Sequence, residues 1–218
     1  MGTKLNLQIS KRIIVDRLLS WHKTNYREYP FRRETDPYRI LVSEIFLRQT
    51  RAAQVSRVYP IFIARYPKVS QLATTRNKSL YEIIKPLGIR SRVLDLLELA
   101  KQIEKEEHGA IPSSYAKIVK LPGVGRYIAN SVLVRAYGKR LPLVDSNVNR
   151  VLSRVFQATN HMKNENAEDI FMDLTSYVSP VRLNYAVIDL AHSVCTYTNP
   201  RCPICPLSKL CLYAARVN

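Results

Sequence analysis

Leu121-Pro122-Gly123-Val124-Gly125-Arg126-Tyr127 is followed, from Ile128 onward, by apolar residues at helical spacing. The seven residues read as a tight corner leading into a helix. Gly123 and Gly125 permit positive φ and let a ligand come close to the backbone. The helix that follows opens with free N–H groups and the positive end of its dipole, which suits a phosphate. No strand precedes the corner and the third glycine is missing, so it is not a dinucleotide-binding fingerprint. The competing reading is an ordinary corner between two helices.

The surrounding charge favours the phosphate. The chain has 218 residues, and 34 Lys and Arg against 17 Asp and Glu give a formal net charge of +17. That excess predicts a polyanionic partner, most simply nucleic acid. A generically basic thermophilic or ribosome-associated protein is the plain alternative. Residues 1–60 hold twelve bases and five acids, residues 111–160 hold eight bases and one acid, and residues 161–218 are balanced at five and five. The partner is therefore expected on the first quarter and on the stretch carrying the corner. The one acid in that stretch is Asp145. It is either a functional carboxylate in a cationic field or the cap of a helix that Ser146 and Asn147 begin. Apolar residues at 46% and charged residues at 23% describe a globular chain, long enough for one large domain or two small ones sharing a core. No window resembles a membrane span, and the N-terminal MGTKLNLQISKR lacks the apolar run of a secretory signal, so a cytoplasmic protein is expected.

Outward from the corner the chain reads as mostly helical. Segments 9–20, 37–59, 79–86, 91–107, 114–119, 126–138, 145–157, 165–178 and 181–194 carry apolar spacing nearer 3.6 than 2, with Gly- and Pro-containing breaks between them. Little sheet and no solenoid repeat are expected. No polar linker divides the chain, so a second domain has to be made from the ends. All four cysteines, Cys195, Cys202, Cys205 and Cys211, lie near the C-terminus as C-x6-C-x2-C-x5-C. Four soft thiolates so close, with Pro203 and Pro206 stiffening the loop, can wrap one metal centre. Two disulfides are the alternative, but nothing points to an oxidising compartment. Spacing alone leaves zinc and iron–sulfur both open.

The corner, then Val144-Asp145-Ser146-Asn147-Val148, then the terminal cysteine motif together resemble the helix–hairpin–helix DNA glycosylases. These comprise endonuclease III, the MutY-type adenine glycosylases and the Mig-type thymine glycosylases. The similarity runs from about Trp21 to Cys211. It implies an all-α, two-lobed fold: a six-helix barrel domain with the hairpin over 29–139, and a cluster domain from 1–28 and 140–218, with DNA in the cleft between. It implies a 4Fe–4S cluster on the four cysteines. It also implies a prokaryotic, nucleoid-associated monomer acting on double-stranded DNA that contains a mismatch.

The resemblance assigns roles residue by residue. Asp145 matches the catalytic aspartate, which stabilises an oxocarbenium-like sugar and activates water or attacks C1′. Glu44 sits in the apolar run Ile40-Leu41-Val42-Ser43-Glu44-Ile45-Phe46-Leu47. Burial there would suit it to donating a proton or hydrogen bond to the flipped base; a helix-surface pair with Arg48 is the alternative. Tyr127 stands where bifunctional relatives carry a Schiff-base lysine, so base removal without strand cleavage is expected. Gln49 matches the intercalating side chain, and Leu87-Gly88-Ile89-Arg90 the loop that probes the opposite strand. Gly123, Val124 and Gly125 supply the hairpin, and Arg48, Arg51 and Arg126 are candidate phosphate or wedge contacts. Asn184 and Tyr185 open a helix whose Val187, Ile188 and Leu190 read as core. The run from Asp36 to Thr50, Asp145-Ser146-Asn147 and Ser208 to Cys211 look closer to the Mig type. Seven residues follow Cys211, so the C-terminal domain of MutY-type enzymes is not expected. Phe31, in place of the usual Trp, and Gln49, the MutY-type residue, cut across this. Thymine or uracil opposite guanine is therefore the expected target, with adenine opposite guanine or 8-oxoguanine as the alternative. A bifunctional lyase and a non-catalytic mismatch sensor rank lower.

Overall fold

The computed structural model describes residues 2–88, 91–157 and 159–217, and no strand occurs among them. In chain order the helices are α1 (Gly2–Asn25), α2 (Pro37–Leu47), α3 (Ala52–Arg65), α4 (Val69–Ala73), α5 (Asn77–Ile84), α6 (Ser91–Glu107), α7 (Tyr115–Ile118), α8 (Arg126–Tyr137), α9 (Ser146–Gln157), α10 (Asn164–Leu174), α11 (Pro180–Ser193) and α12 (Leu212–Val217). They divide into two units, residues 28–139 and residues 1–27 with 140–218.

In the unit 28–139, α2 is the central element. Asp36 starts it by accepting the Arg39 N–H at 2.8 Å, and Pro37 occupies the first turn, where no N–H is needed. Ile40, Leu41, Val42, Ile45 and Phe46 are fully buried, so α2 is covered all round and packs on α8 and α3. Phe46 meets Phe62 of α3 edge-to-face at 5.0 Å. The helix expected over 37–59 is two helices, broken at 48–51. The break contains neither Gly nor Pro. Gln49 itself takes φ 54°, a left-handed conformation that is uncommon for any residue but glycine. The helix α4, five residues long, is too short to show a period and escapes a reading by apolar spacing.

In the other unit α9 is central, packing on α10, α11 and α12 through Val148, Val151, Leu152 and Val155. The N-terminal α1 closes onto α11. There the fully buried Asp189 accepts the Arg27 N–H at 3.1 Å and lies 2.9 Å from His22 Nε2. The two ends of the chain thus share one core. Beyond α11 the cysteine-rich tail folds as 3-10 turns over Cys202–Ile204 and Ser208–Leu210 before α12.

Candidate functional site

The corner before α8 has one left-handed glycine. Gly123 has φ 73°, and a Cβ there would meet Arg48 Nη1 and Asp95 Oδ2 at 3.1 Å. Gly125 is extended, at φ −98° and ψ 179°, and a Cβ on it would meet nothing within 4 Å. Positive φ, which both glycines permit, is therefore used at Gly123 alone. Gly125 instead leaves open space before a helix that no side chain caps. Leu121 and Val124 are buried and pin the corner, so Val124 presents backbone rather than side chain. Arg126 is exposed and Tyr127 half-buried at the helix start.

Arg48 stays exposed and also reaches back to the hairpin. Its Nη1 donates to Gly123 O at 3.0 Å and pairs with Asp95 at 3.4 Å. It braces the hairpin rather than pairing with Glu44 along its own helix. Glu44, 7% exposed, is held from α8: Ser131 Oγ donates to its Oε1 at 2.7 Å and Arg135 Nη1 at 3.0 Å. Arg135 in turn donates to Phe31 O at 2.6 Å. The apolar run in the sequence suggested a proton donor. The fold adds a guanidinium and a hydroxyl from α8, both of which donate to its Oε1.

Gln49 is exposed at the tip of the α2–α3 turn. Beside it runs the loop after α5. Thr50 Oγ1 donates to Leu87 O at 3.2 Å, and Gln54 Nε2 donates to Pro86 O. Leu87 is buried at 4% and offers only its backbone, whereas Gly88 is exposed with φ 83°. Ile89 and Arg90 lie outside the described residues. Arg51 is exposed just ahead of α3.

In the other unit, Asp145 does cap α9. Its Oδ1 accepts the Val148 N–H at 2.8 Å, and its Oδ2 accepts from Asn147 Nδ2 at 3.0 Å. Both oxygens are thereby oriented. Arg150 donates to Asn147 Oδ1 at 3.2 Å, to Cys195 O at 3.1 Å and to Ala191 O at 3.2 Å, tying the capped corner to the end of α11. Asn184 is buried and donates to Leu143 O at 2.9 Å, while Val187 and Leu190 are core and Ile188 is half-buried.

The four cysteines are free thiols, and all of them line one cavity with Val151, Arg154 and Leu207. Its empty space, counted out to solvent, is about 350 Å³. Burial pushes the Cys205 thiol up to about 11, and raises Cys202 and Cys211 too. Arg154 is 1% exposed. It places Nη1 3.3 Å from Cys195 Sγ, donates to Thr196 O and Tyr197 O, and lies 4.8 Å from the centre of the Tyr213 ring. Four soft donors around one space, with a buried cation beside them, fit an anionic thiolate-bound cluster. Among the described residues, no group of three or more His, Cys, Asp or Glu is placed to hold a metal ion.

Several residues here escaped sequence reasoning: Ser131, Arg135, Arg150 and Arg154. One stripe was available to be noticed. Asn147, Arg150 and Arg154 recur at i+3 and i+4, so they share the face of α9 that meets the cysteine tail.

A family model described as "HhH-GPD superfamily base excision DNA repair protein" matches residues 42–176, a span holding Glu44, the hairpin and Asp145. The thymine-DNA glycosylase of Aeropyrum pernix is 40% identical over 205 residues, covering 90% of this chain and 92% of that protein. The thymine/uracil-DNA glycosylase of Pyrobaculum aerophilum is 32% identical over 207 residues, covering 91% and 90%. A solved thermostable thymine-DNA glycosylase has a TM-score of 0.88 at 29% identity, covering 95% of this chain and 97% of its own.

Proposed function

The chain belongs to the HhH-GPD superfamily of base excision DNA repair proteins, and we propose that it is a monofunctional DNA glycosylase hydrolysing the N-glycosidic bond of thymine or uracil mispaired with guanine. The observation that carries the choice of base is the Glu44–Arg135 pair. A flipped base is read on its Watson–Crick edge. Thymine and uracil present N3–H there, which a carboxylate accepts. Adenine has no N–H at that ring position to give to an accepting carboxylate, so a Glu44 held as an acceptor by Ser131 and Arg135 suits it less well. The two thymine-removing relatives, matched over nine-tenths of the chain, agree with this reading.

The chemistry assigned to the chain's own groups is short. As the C1′–N1 bond breaks, its electron pair leaves with the pyrimidine and the sugar becomes cationic. Asp145, its carboxylate oriented by Val148 N–H and Asn147, stabilises that cation. Water adds its oxygen to C1′ and gives up one proton, which Asp145 takes on its way to the departing base. Tyr127 has no amine, so no Schiff base forms and the product is an abasic site in an uncut strand. Gln49 fills the gap left by the flipped nucleotide, the loop around Gly88 meets the opposite strand, and the open N-terminus of α8 beyond Gly125 takes a phosphate.

The double-stranded substrate carries a mismatch, which lowers the flipping cost of a few kcal/mol. The protein works as a cytoplasmic monomer; no helix among the described residues is long and apolar enough to cross a membrane. Enzymes of the endonuclease III and MutY family generally carry a 4Fe–4S cluster, and here Cys195, Cys202, Cys205 and Cys211 would hold it. Bound there, it would fasten the tail to α11 and bring a charge of about −2 beside Arg154.

Incubation with duplexes carrying T·G, U·G, A·G and A·8-oxoguanine, with and without alkali, tests the proposal. Release from T·G and U·G, with strand breaks only after alkali, is expected. Preferential release of adenine overturns the base assignment, breaks without alkali overturn the monofunctional one, and no release from any duplex overturns both.

A further inference from the structure

Arg92, in the first turn of α6, is 2% exposed, and its hydrogen bonds go to neutral oxygens. Nη1 donates to Phe46 O at 3.2 Å and to Thr50 Oγ1 at 2.7 Å, and Nη2 donates to Arg48 O. Those acceptors bracket Gln49 on both sides. The carbonyls of Phe46 and Arg48 belong to the C-terminal end of α2, where helical partners run out and a cation is favoured. Thr50 passes the connection on to Leu87 O, and Gln54 adds a bond to Pro86 O. Arg48 then carries the brace to Gly123 O. One buried guanidinium therefore locks the Gln49 turn to α6, and through its neighbours to the Gly88 loop and the hairpin.

Two costs meet at this point. A non-glycine residue is held at φ 54°, and a guanidinium is buried on neutral acceptors. The strained residue is exposed, so the strain does not serve core packing. Strain that the surrounding structure over-determines at an exposed tip is the signature of a preorganised contact. We propose that Arg92 is a positioning residue that holds Gln49 erect as a preformed wedge, so that the gap left by an extruded nucleotide is filled without first ordering the turn. The proposal rests on the reading of Gln49 as the side chain that enters the duplex. Arg92 touches no substrate and acts through the turn alone.

The test uses T·G duplexes with 2-aminopurine beside the thymine, whose fluorescence rises when the neighbour unstacks, together with single-turnover thymine release. Arg92→Lys keeps the charge but cannot reach three acceptors with a fork. Gln49→Gly removes the wedge and accepts positive φ freely. Each is expected to cut both the fluorescence rise and the release rate at least tenfold on duplex, with a clearly smaller loss on single-stranded substrate. The double variant should be no worse than Gln49→Gly, because a support has nothing left to hold once the wedge is gone. A wild-type signal from Arg92→Lys, or a double variant showing the product of the two losses, overturns the role of Arg92 and leaves the wedge standing. A wild-type signal from Gln49→Gly overturns the wedge reading itself. Should Arg92→Lys fail to fold, Thr50→Val removes the hydroxyl that the guanidinium grips, and the same criteria apply to it.

Discussion

Tyr127 and Glu44 show how far a single residue type can be read before its neighbours are known. The absence of an amine at position 127 follows from the sequence alone, and the expected product follows from it. Tyr127→Lys is therefore expected to introduce some strand cleavage, with a covalent adduct trapped by borohydride on a T·G duplex. Absence of any adduct would show that position 127 does not face the sugar. The role of Glu44 was less legible. Its apolar flanks are local, whereas Arg135 and Ser131 reach it from a helix some ninety residues along. No window of sequence displays that pairing. A second role of Arg48 was hidden for a related reason. An exposed arginine beside a turn reads as a phosphate contact, and its bond to the carbonyl of Gly123 at 3.0 Å shows only in the fold.

Among the elements, the helices with clean apolar spacing were legible and the turn at 48–51 was not. Its conformation is imposed by Arg92 on α6 rather than by Gly or Pro within it. The hairpin is the opposite case, since its two glycines announce it. The structure nevertheless separates their duties, and the separation is testable. Gly123→Ala forces a left-handed alanine against Arg48 and Asp95, costing roughly 1–3 kcal/mol, so thermal unfolding should fall by several degrees. Gly125→Ala meets open space at an extended φ and should leave the melting temperature within about a degree of wild type. It should still weaken binding to a duplex, because its methyl group stands where a phosphate would approach α8. Equal stability losses for the two would contradict this division.

For the whole molecule, the excess of basic charge and the cysteine spacing were legible from composition and order, and the helical class with them. The cationic support of the cysteine tail was not, because Arg150 and Arg154 look like ordinary surface charges of an amphipathic helix until α9 is seen buried. Purified protein should be brown and carry about four irons per chain; stoichiometric zinc without iron would contradict the cluster assignment. The +17 net charge should make duplex binding fall steeply with salt, which sets the conditions for a final comparison. Hydrolysis by this molecule is assigned to one carboxylate, and the most direct measurement is single-turnover release of thymine from a T·G duplex by Asp145→Asn, with duplex affinity measured at the same salt. Release should vanish while affinity stays at or above that of the wild type. Sustained release at near wild-type rates would contradict the assignment of Asp145 as the catalytic group.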